Sequence, residues 1–191
     1  AFIDAENVRN AFESFGYADM DYKKLYDWLT KSKEVSRIYL YVGIEQNDKD
    51  KEKKFKELQK VGYFVNIKIV MSYKQKVWNL TTTCPECKFK FNRRTYIKDH
   101  KKANCDADMT LDIINFGVRK KYKGIIVFSG DGDFASVYNY VSKELKKEVI
   151  VYAPLGEQDF RTSLKVKKQA KDNVITLEDL NSLSLHYAEK V

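Results

Sequence analysis

The sequence predicts an α/β fold, a mostly parallel open sheet flanked by helices, and three observations carry that prediction. Short runs rich in β-branched and aromatic residues alternate with longer charged segments of helical period, the pattern of successive βαβ units. Five such runs, at residues 2–3, 37–42, 63–70, 125–128 and 148–152, read as strands, with 174–176 as a sixth. Apolar residues make up 43% of a 191-residue chain, enough for one sizeable core, so the alternation belongs to one sheet.

The helical segments fall at residues 22–31, 49–61, 107–120, 134–146, 158–170 and 177–189. In the first, Tyr22, Leu25, Tyr26 and Leu29 follow the i, i+3, i+4, i+7 spacing of a single apolar stripe, so these aromatics belong to the core. The alternation breaks once, between Ser72 and Cys105. Residues 1–72 and 106–191 therefore read as one domain and 73–105 as an insertion between the third strand and the following helix. Within the insertion, Trp78 is expected to pack against the inserted module.

A net charge of +8 favours polyanionic partners, and no apolar run reaches the roughly 18–20 residues that span a bilayer, so no membrane partner is expected. Between Thr81 and Cys105 stand seven basic residues, Lys88, Lys90, Arg93, Arg94, Lys98, Lys101 and Lys102, against two acids, Glu86 and Asp99. They form a candidate nucleic-acid-binding surface that would hold the phosphate backbone. All three cysteines lie in this segment, which predicts thiols committed to metal in a reducing, cytoplasmic setting.

Cys84-x2-Cys87-x12-His100-x4-Cys105 has the ligand spacing of a structural, four-coordinate Zn²⁺ finger. So small a module needs core residues beside its metal, and Phe91 and Ile97 stand where a ββα finger places its aromatic and its helical aliphatic. On this reading Arg93, Arg94, Tyr96 and Asp99 occupy the early positions of the finger's helix.

Acidic residues gather at three strand ends or helix starts. Asp4 ends the first strand; Asp106, Asp108 and Asp112 open the helix after the insertion; Asp131 and Asp133 follow the strand at 125–128. Strand ends and helix starts of a parallel sheet share one edge, where ligands collect, so these carboxylates are expected to converge. Each also has a plainer use: Asp106, Asp131 or Asp133 would cap a helix. Gathered at one rim of a basic protein they call for a cation, and an oxygen-only donor set selects Mg²⁺ or Mn²⁺.

The segments Phe2-Ile3-Asp4-Ala5-Glu6-Asn7, Asp106 to Asp112 and Ser129-Gly130-Asp131-Gly132-Asp133-Phe134 together resemble the three signature segments of NYN domains, PIN-like nucleases of Rossmann-related fold. The tail, Thr162-Ser163-Leu164 through Leu177-Glu178-Asp179-Leu180, resembles the ending of their LabA-like branch. The resemblance covers the chain in order except the inserted finger. It implies a metal-dependent nuclease, most often acting on RNA, with DNA as the alternative substrate. Carried over, Asp4, Asp106 and Asp131 match the core acidic positions, Asp112 and Asp133 the additional acids, and Asn7 the substrate- or water-orienting asparagine; Asp108 joins the expected Mg²⁺ or Mn²⁺ ligands. A nucleic-acid adaptor that no longer cleaves is the main rival. A Toprim-like domain would use Asp131-Gly132-Asp133 but wants a glutamate where Asp4 stands, and a haloacid-dehalogenase-type phosphatase wants a second aspartate where Glu6 stands. Oligomeric state is left open by the sequence.

Overall fold

A computed structural model describes residues 1–14, 20–73, 77–96, 100–153, 163–170 and 174–176. Six strands form one sheet in the order β10-β9-β8-β1-β2-β3: β1 (Phe2–Asp4), β2 (Tyr39–Ile44), β3 (Phe64–Ile69), β8 (Gly124–Phe128), β9 (Glu148–Ala153) and β10 (Val174–Thr176). Every pairing in this sheet is parallel. Side chains alternate across it with the period of two that strands impose. Ile3, Leu40, Val42 and Phe128 enter the apolar cluster on one face, while Phe2, Tyr41, Val127 and Val151 enter the other.

The first face is covered by α1 (Ala5–Ser14), α2 (Tyr22–Ser32) and α3 (Lys49–Val61). The second is covered by α4 (Cys105–Gly117), α5 (Ala135–Lys143) and α6 (Leu164–Ala170). α3 ends at Gly62, whose φ of 120° suits glycine and whose missing side chain leaves room for the Tyr26 hydroxyl. The helix α1 is not among the helices expected from the sequence. Its stripe Val8, Ala11, Phe12 is fully buried and has helical spacing, but it follows directly on the Asp4–Asn7 segment, which reads as a site motif. The expected helix at 177–189, and the expected start of the one before it, lie outside the described residues.

The insertion is a two-stranded arm, and this corrects the ββα finger. β4 (Met71–Tyr73) pairs antiparallel with β7 (His100–Lys102), and β5 (Val77–Thr83) pairs antiparallel with β6 (Lys90–Tyr96). Arg93, Arg94 and Tyr96 are thus strand residues rather than the opening of a helix. Local composition explains it. Val77-Trp78-Asn79-Leu80-Thr81-Thr82-Thr83 and Lys90-Phe91-Asn92-Arg93-Arg94-Thr95-Tyr96 are rich in β-branched and aromatic residues, and Thr81 donates to Asn92 across the pair at 3.0 Å. Ile97, Lys98 and Asp99 lie outside the described residues, as do the side chains of Trp78, Arg94, Tyr96, His100 and Lys101.

Candidate active-site cleft

The sheet order reverses at β1. From β1 the chain adds β2 and then β3 on one side, and later returns to place β8, β9 and β10 on the other. Loops leaving β1 and β8 therefore diverge, opening a crevice at the carboxyl edge where such folds bind ligands. Asp4 is the last residue of β1, and Ser129-Gly130-Asp131 follows β8. A cleft of about 420 Å³ lies there, lined among others by Asp4, Asn7, Asp106 and Asp131, with Arg9, Lys51 and Lys102 among its cations.

Hydrogen bonds lock the two loops together. Asp4 Oδ1 accepts the Asn7 backbone N–H at 3.1 Å, which caps α1, and Asp4 Oδ2 accepts the Ser129 hydroxyl at 3.3 Å. Ser129 Oγ in turn accepts the Asp131 N–H at 3.2 Å, and Asn7 Oδ1 accepts the Gly130 N–H at 2.9 Å. Asn7 thus serves as a brace between the β1 and β8 loops through its carbonyl oxygen. Asp131 caps the short 3-10 turn Gly132–Phe134, accepting the Asp133 N–H at 2.9 Å.

Asp4 keeps an edge toward solvent, yet protein surrounds its carboxyl closely. Burial pushes that carboxyl up to about 6; the Asn7 N–H and Ser129 hydroxyl pull it down, and the charges of Asp106 and Asp131 push it up further. Asp4 therefore feels the carboxylates of two other segments in one cleft. Among the described residues, no three acidic, thiol or imidazole side chains already meet at the spacing that holds one ion, so the cleft is not a closed cage. The donor set of carboxylate oxygens fits a hard divalent cation that would draw the three together.

The remaining expected acids point elsewhere. Asp108 Oδ2 lies 2.8 Å from Lys68 Nζ and accepts from Asn66 Nδ2 at 3.3 Å, and the Lys68 ammonium holds its carboxyl below the usual range. Asp112 Oδ2 accepts the Tyr41 hydroxyl at 2.6 Å. Both face β2 and β3, not Asp4. The reason is helical phase: at about 100° per residue, positions two and six beyond Asp106 lie roughly 200° and 240° around α4. Asp133 is exposed within the 3-10 turn. Residues the sequence reading passed over are Ser129, the sole polar residue in the buried set among the described residues, and the cleft cations Arg9 and Lys51. Arg9 is gripped by Glu6 and Glu13 on its own helix. Lys102, read from the sequence as a nucleic-acid contact, stands 3.5 Å from Asp106 Oδ2.

Among the described residues no three thiol, imidazole or acidic side chains stand grouped to hold an ion, and the His100 side chain of the expected frame lies outside them. Cys84 and Cys87 form the turn between β5 and β6, where Cys84 donates its N–H to Phe89 O and Lys88 donates to Cys84 O. Backbone N–H groups of Cys87 and Glu86 point at the Cys84 sulfur and lower its thiol's pKa. That is a knuckle able to hold half a tetrahedral site. Cys105 instead sits at the start of α4 beside the cleft, where burial and then the Asp4 charge push its thiol up to about 11. The seven-residue β5 places the knuckle about 23 Å along the arm from Val77, at ~3.3 Å per residue. The backbone of His100 pairs with Tyr73 in the β4–β7 ladder. Of the expected cationic surface, Lys88, Lys90 and Arg93 are exposed on the arm and Lys102 at its root; Lys98 falls outside the described residues.

A parallel sheet whose switch-point cleft gathers three carboxylates is an α/β domain with an acidic site. The chain belongs to the NYN domain family, whose model matches residues 1–178. NYN domains are generally nucleases, and this supports an enzyme that hydrolyses nucleic acid. Among solved structures, a Vibrio parahaemolyticus protein of unknown function is similar with a TM-score of 0.64 at 23% identity, over 93% of this chain and 91% of that one; the likeness shows the fold. A comparison with curated proteins gives no match. Among the described residues, no helix is long and apolar enough to cross a membrane.

Proposed function

We propose that this NYN domain is a Mg²⁺- or Mn²⁺-dependent ribonuclease that cleaves RNA phosphodiester bonds in the cleft of Asp4, Asp106 and Asp131. The observation that carries the reading is the meeting of those three carboxylates at the switch point, close enough that Asp106 and Asp131 raise Asp4. Bound there, the divalent ion supplies a polarised water and charge neutralisation at the phosphate. Asp4, Asp106 and Asp131 would hold it, with Asn7 and Ser129 keeping the β1 and β8 loops in register. Arg9, Lys51 and Lys102 would meet phosphates on the walls of the cleft. Residues 1–72 and 106–191 form the catalytic domain in this reading, and the arm adds Lys88, Lys90 and Arg93 as backbone contacts. Asp108 and Asp112 serve the fold through Lys68 and Tyr41 and leave the ion set. Zn²⁺ has no step in the mechanism.

Labelled RNA and DNA incubated with Mn²⁺, with EDTA, and with Asp4→Asn or Asp131→Asn protein test this. Cleavage of RNA should need the metal and fall by more than about a hundredfold in either variant. Cleavage in EDTA, or full activity in both variants, would sink the proposal. One observation favours a binding-only adaptor, namely that the carboxylates do not yet stand at ligand spacing. Tight RNA binding with no cleavage under any divalent ion would decide for it.

A further inference from the structure

At the edge of the sheet opposite the cleft, where the strands begin, aromatic residues stand in a row. Phe2, Tyr39 and Phe64 open β1, β2 and β3 in register, and their rings stack at 5.6 Å and 5.0 Å, 15° and 21° from parallel. Phe116 on α4 backs the row, 5.0 Å from Tyr39 and 5.6 Å from Tyr122. Phe2 and Phe116 are buried as core rings are, but β3 is an edge strand, so the row ends in solvent with Phe64 47% exposed. Cations surround that end. The Arg37 guanidinium lies 5.4 Å from the centre of the Phe64 ring, Arg119 lies 4.3 Å from that of Phe116, and Lys121 lies 4.9 Å from that of Tyr122. Beside them Tyr39 and Tyr122 line a hollow of about 400 Å³ with Lys33, Arg37, Lys121 and Lys123, and Glu34 and Glu148 are the acids on its wall. Among the described residues none of Lys33, Arg37, Arg119, Lys121 and Lys123 makes an ion pair, whereas Arg9 and Lys102 beside the cleft both do.

We propose that this edge is a second nucleic-acid site, where an unpaired base of a single strand stacks on Phe64 and the flanking phosphates lie against Arg37, Arg119 and the lysines of the hollow. A flat aromatic face and a positively charged track are the two elements that hold single strands, because every base has a π-face and every linkage a charge. Arginine suits the place, since its guanidinium stacks on a ring with one face and pairs with phosphate through its edge. Charge selects this occupant over a second copy of the chain, which would set the same unpaired cations against each other. The edge lies apart from Asp4, Asp106 and Asp131, so a strand held here is gripped away from the carboxylates.

This rests on the reading of the protein as a nucleic-acid enzyme but on neither metal nor cleavage, so the test is binding in EDTA. The probe is a short fluorescein-labelled oligouridine, followed by anisotropy at low salt with the 191-residue chain. Phe64→Leu, which keeps an apolar contact with Tyr39 but loses the flat face, should weaken binding about tenfold, and Phe64→Trp should hold native affinity. Arg37→Ala with Arg119→Ala should lower the slope of log affinity against log salt by about 1.4, two phosphate contacts of a single strand. Duplex RNA, whose bases are already stacked, should bind the Phe64→Leu protein as it binds the native one. Native affinity for oligouridine in Phe64→Leu, or an equal loss on duplex, overturns the proposal. So does a dimer in sedimentation that Phe64→Glu dissolves, because a second copy then covers the ring. RNA left uncut under every divalent ion, with the Phe64→Leu loss still present, overturns the catalytic reading and leaves this site standing.

Discussion

The cleft and the arm meet where the chain passes from β7, ending at Lys102, into α4, beginning at Cys105, yet different forces hold them in shape. The cleft is set by a six-stranded sheet whose faces are buried on both sides, so Asp4 and the loop after β8 are fixed by a core containing Ile3, Leu40, Val127 and Phe128. The arm is two strands with no second layer: Leu80, Phe89 and Phe91 are 47%, 68% and 43% exposed. A ribbon of two strands alone is marginally stable in water. A motif at a sheet edge is therefore positioned by the whole fold, whereas one on a ribbon is positioned by local strand preference. The two join closely at the root. A side chain at Gly43 on β2 would meet the Ala103 methyl at 2.6 Å, so the returning arm lies directly against the sheet beside the cleft.

Substitution of core against arm puts the contrast under the greatest strain. Leu40→Ala should cost about 2–5 kcal/mol by chemical denaturation, because it empties fully buried space under β1 and β2. Leu80→Ala should change stability by less than about 0.5 kcal/mol; equal losses would mean that the arm is packed against something that matters to the fold.

Titration gives the next largest effect. Asp4 in the metal-free protein is held at about 6, above the ~3.9 of an unfolded aspartate. The folded state thus keeps a proton that the unfolded chain releases between about pH 4 and 6. Stability from this group is fully present below pH 4 and is lost as pH rises through 6. Metal binding runs the other way, since it needs the carboxylate. Cleavage at limiting Mn²⁺ should fall about tenfold per unit below pH 6. A rate level down to pH 4.5 would remove Asp4 from the ion site.

The smallest expected effects lie in the arm. With Cys105 at the cleft and Cys84–Cys87 at the tip, Cys105→Ser should leave zinc content by elemental analysis unchanged, and Cys84→Ser should leave the cleavage rate within about twofold. One equivalent of zinc, lost alike in Cys84→Ser, His100→Ala and Cys105→Ser, would show that the arm folds back and closes the four-ligand frame.

Particular elements show what was legible before the fold was known. β10 and α3 have the bounds that their residue types predict, because period-two and period-3.6 patterns are local. The gathering of Asp4, Asp106 and Asp131 was legible as well, since a parallel sheet sends strand ends and helix starts to one edge. The partners of Asp108 and Asp112 were half legible. Their shared face follows from spacing, but that it turns toward Lys68 and Tyr41 depends on how α4 seats on the sheet.

For this chain the order of residues alone determined the α/β alternation and the carboxylates at the strand ends, both properties of neighbours along the chain. Tertiary structure alone decided which carboxylates face one another, that Asn7 and Ser129 bind two distant loops, and that Cys105 lines the cleft. These are contacts between segments up to 125 residues apart, as between Asp4 and Ser129, and only the packing of both faces of the sheet brings such segments together.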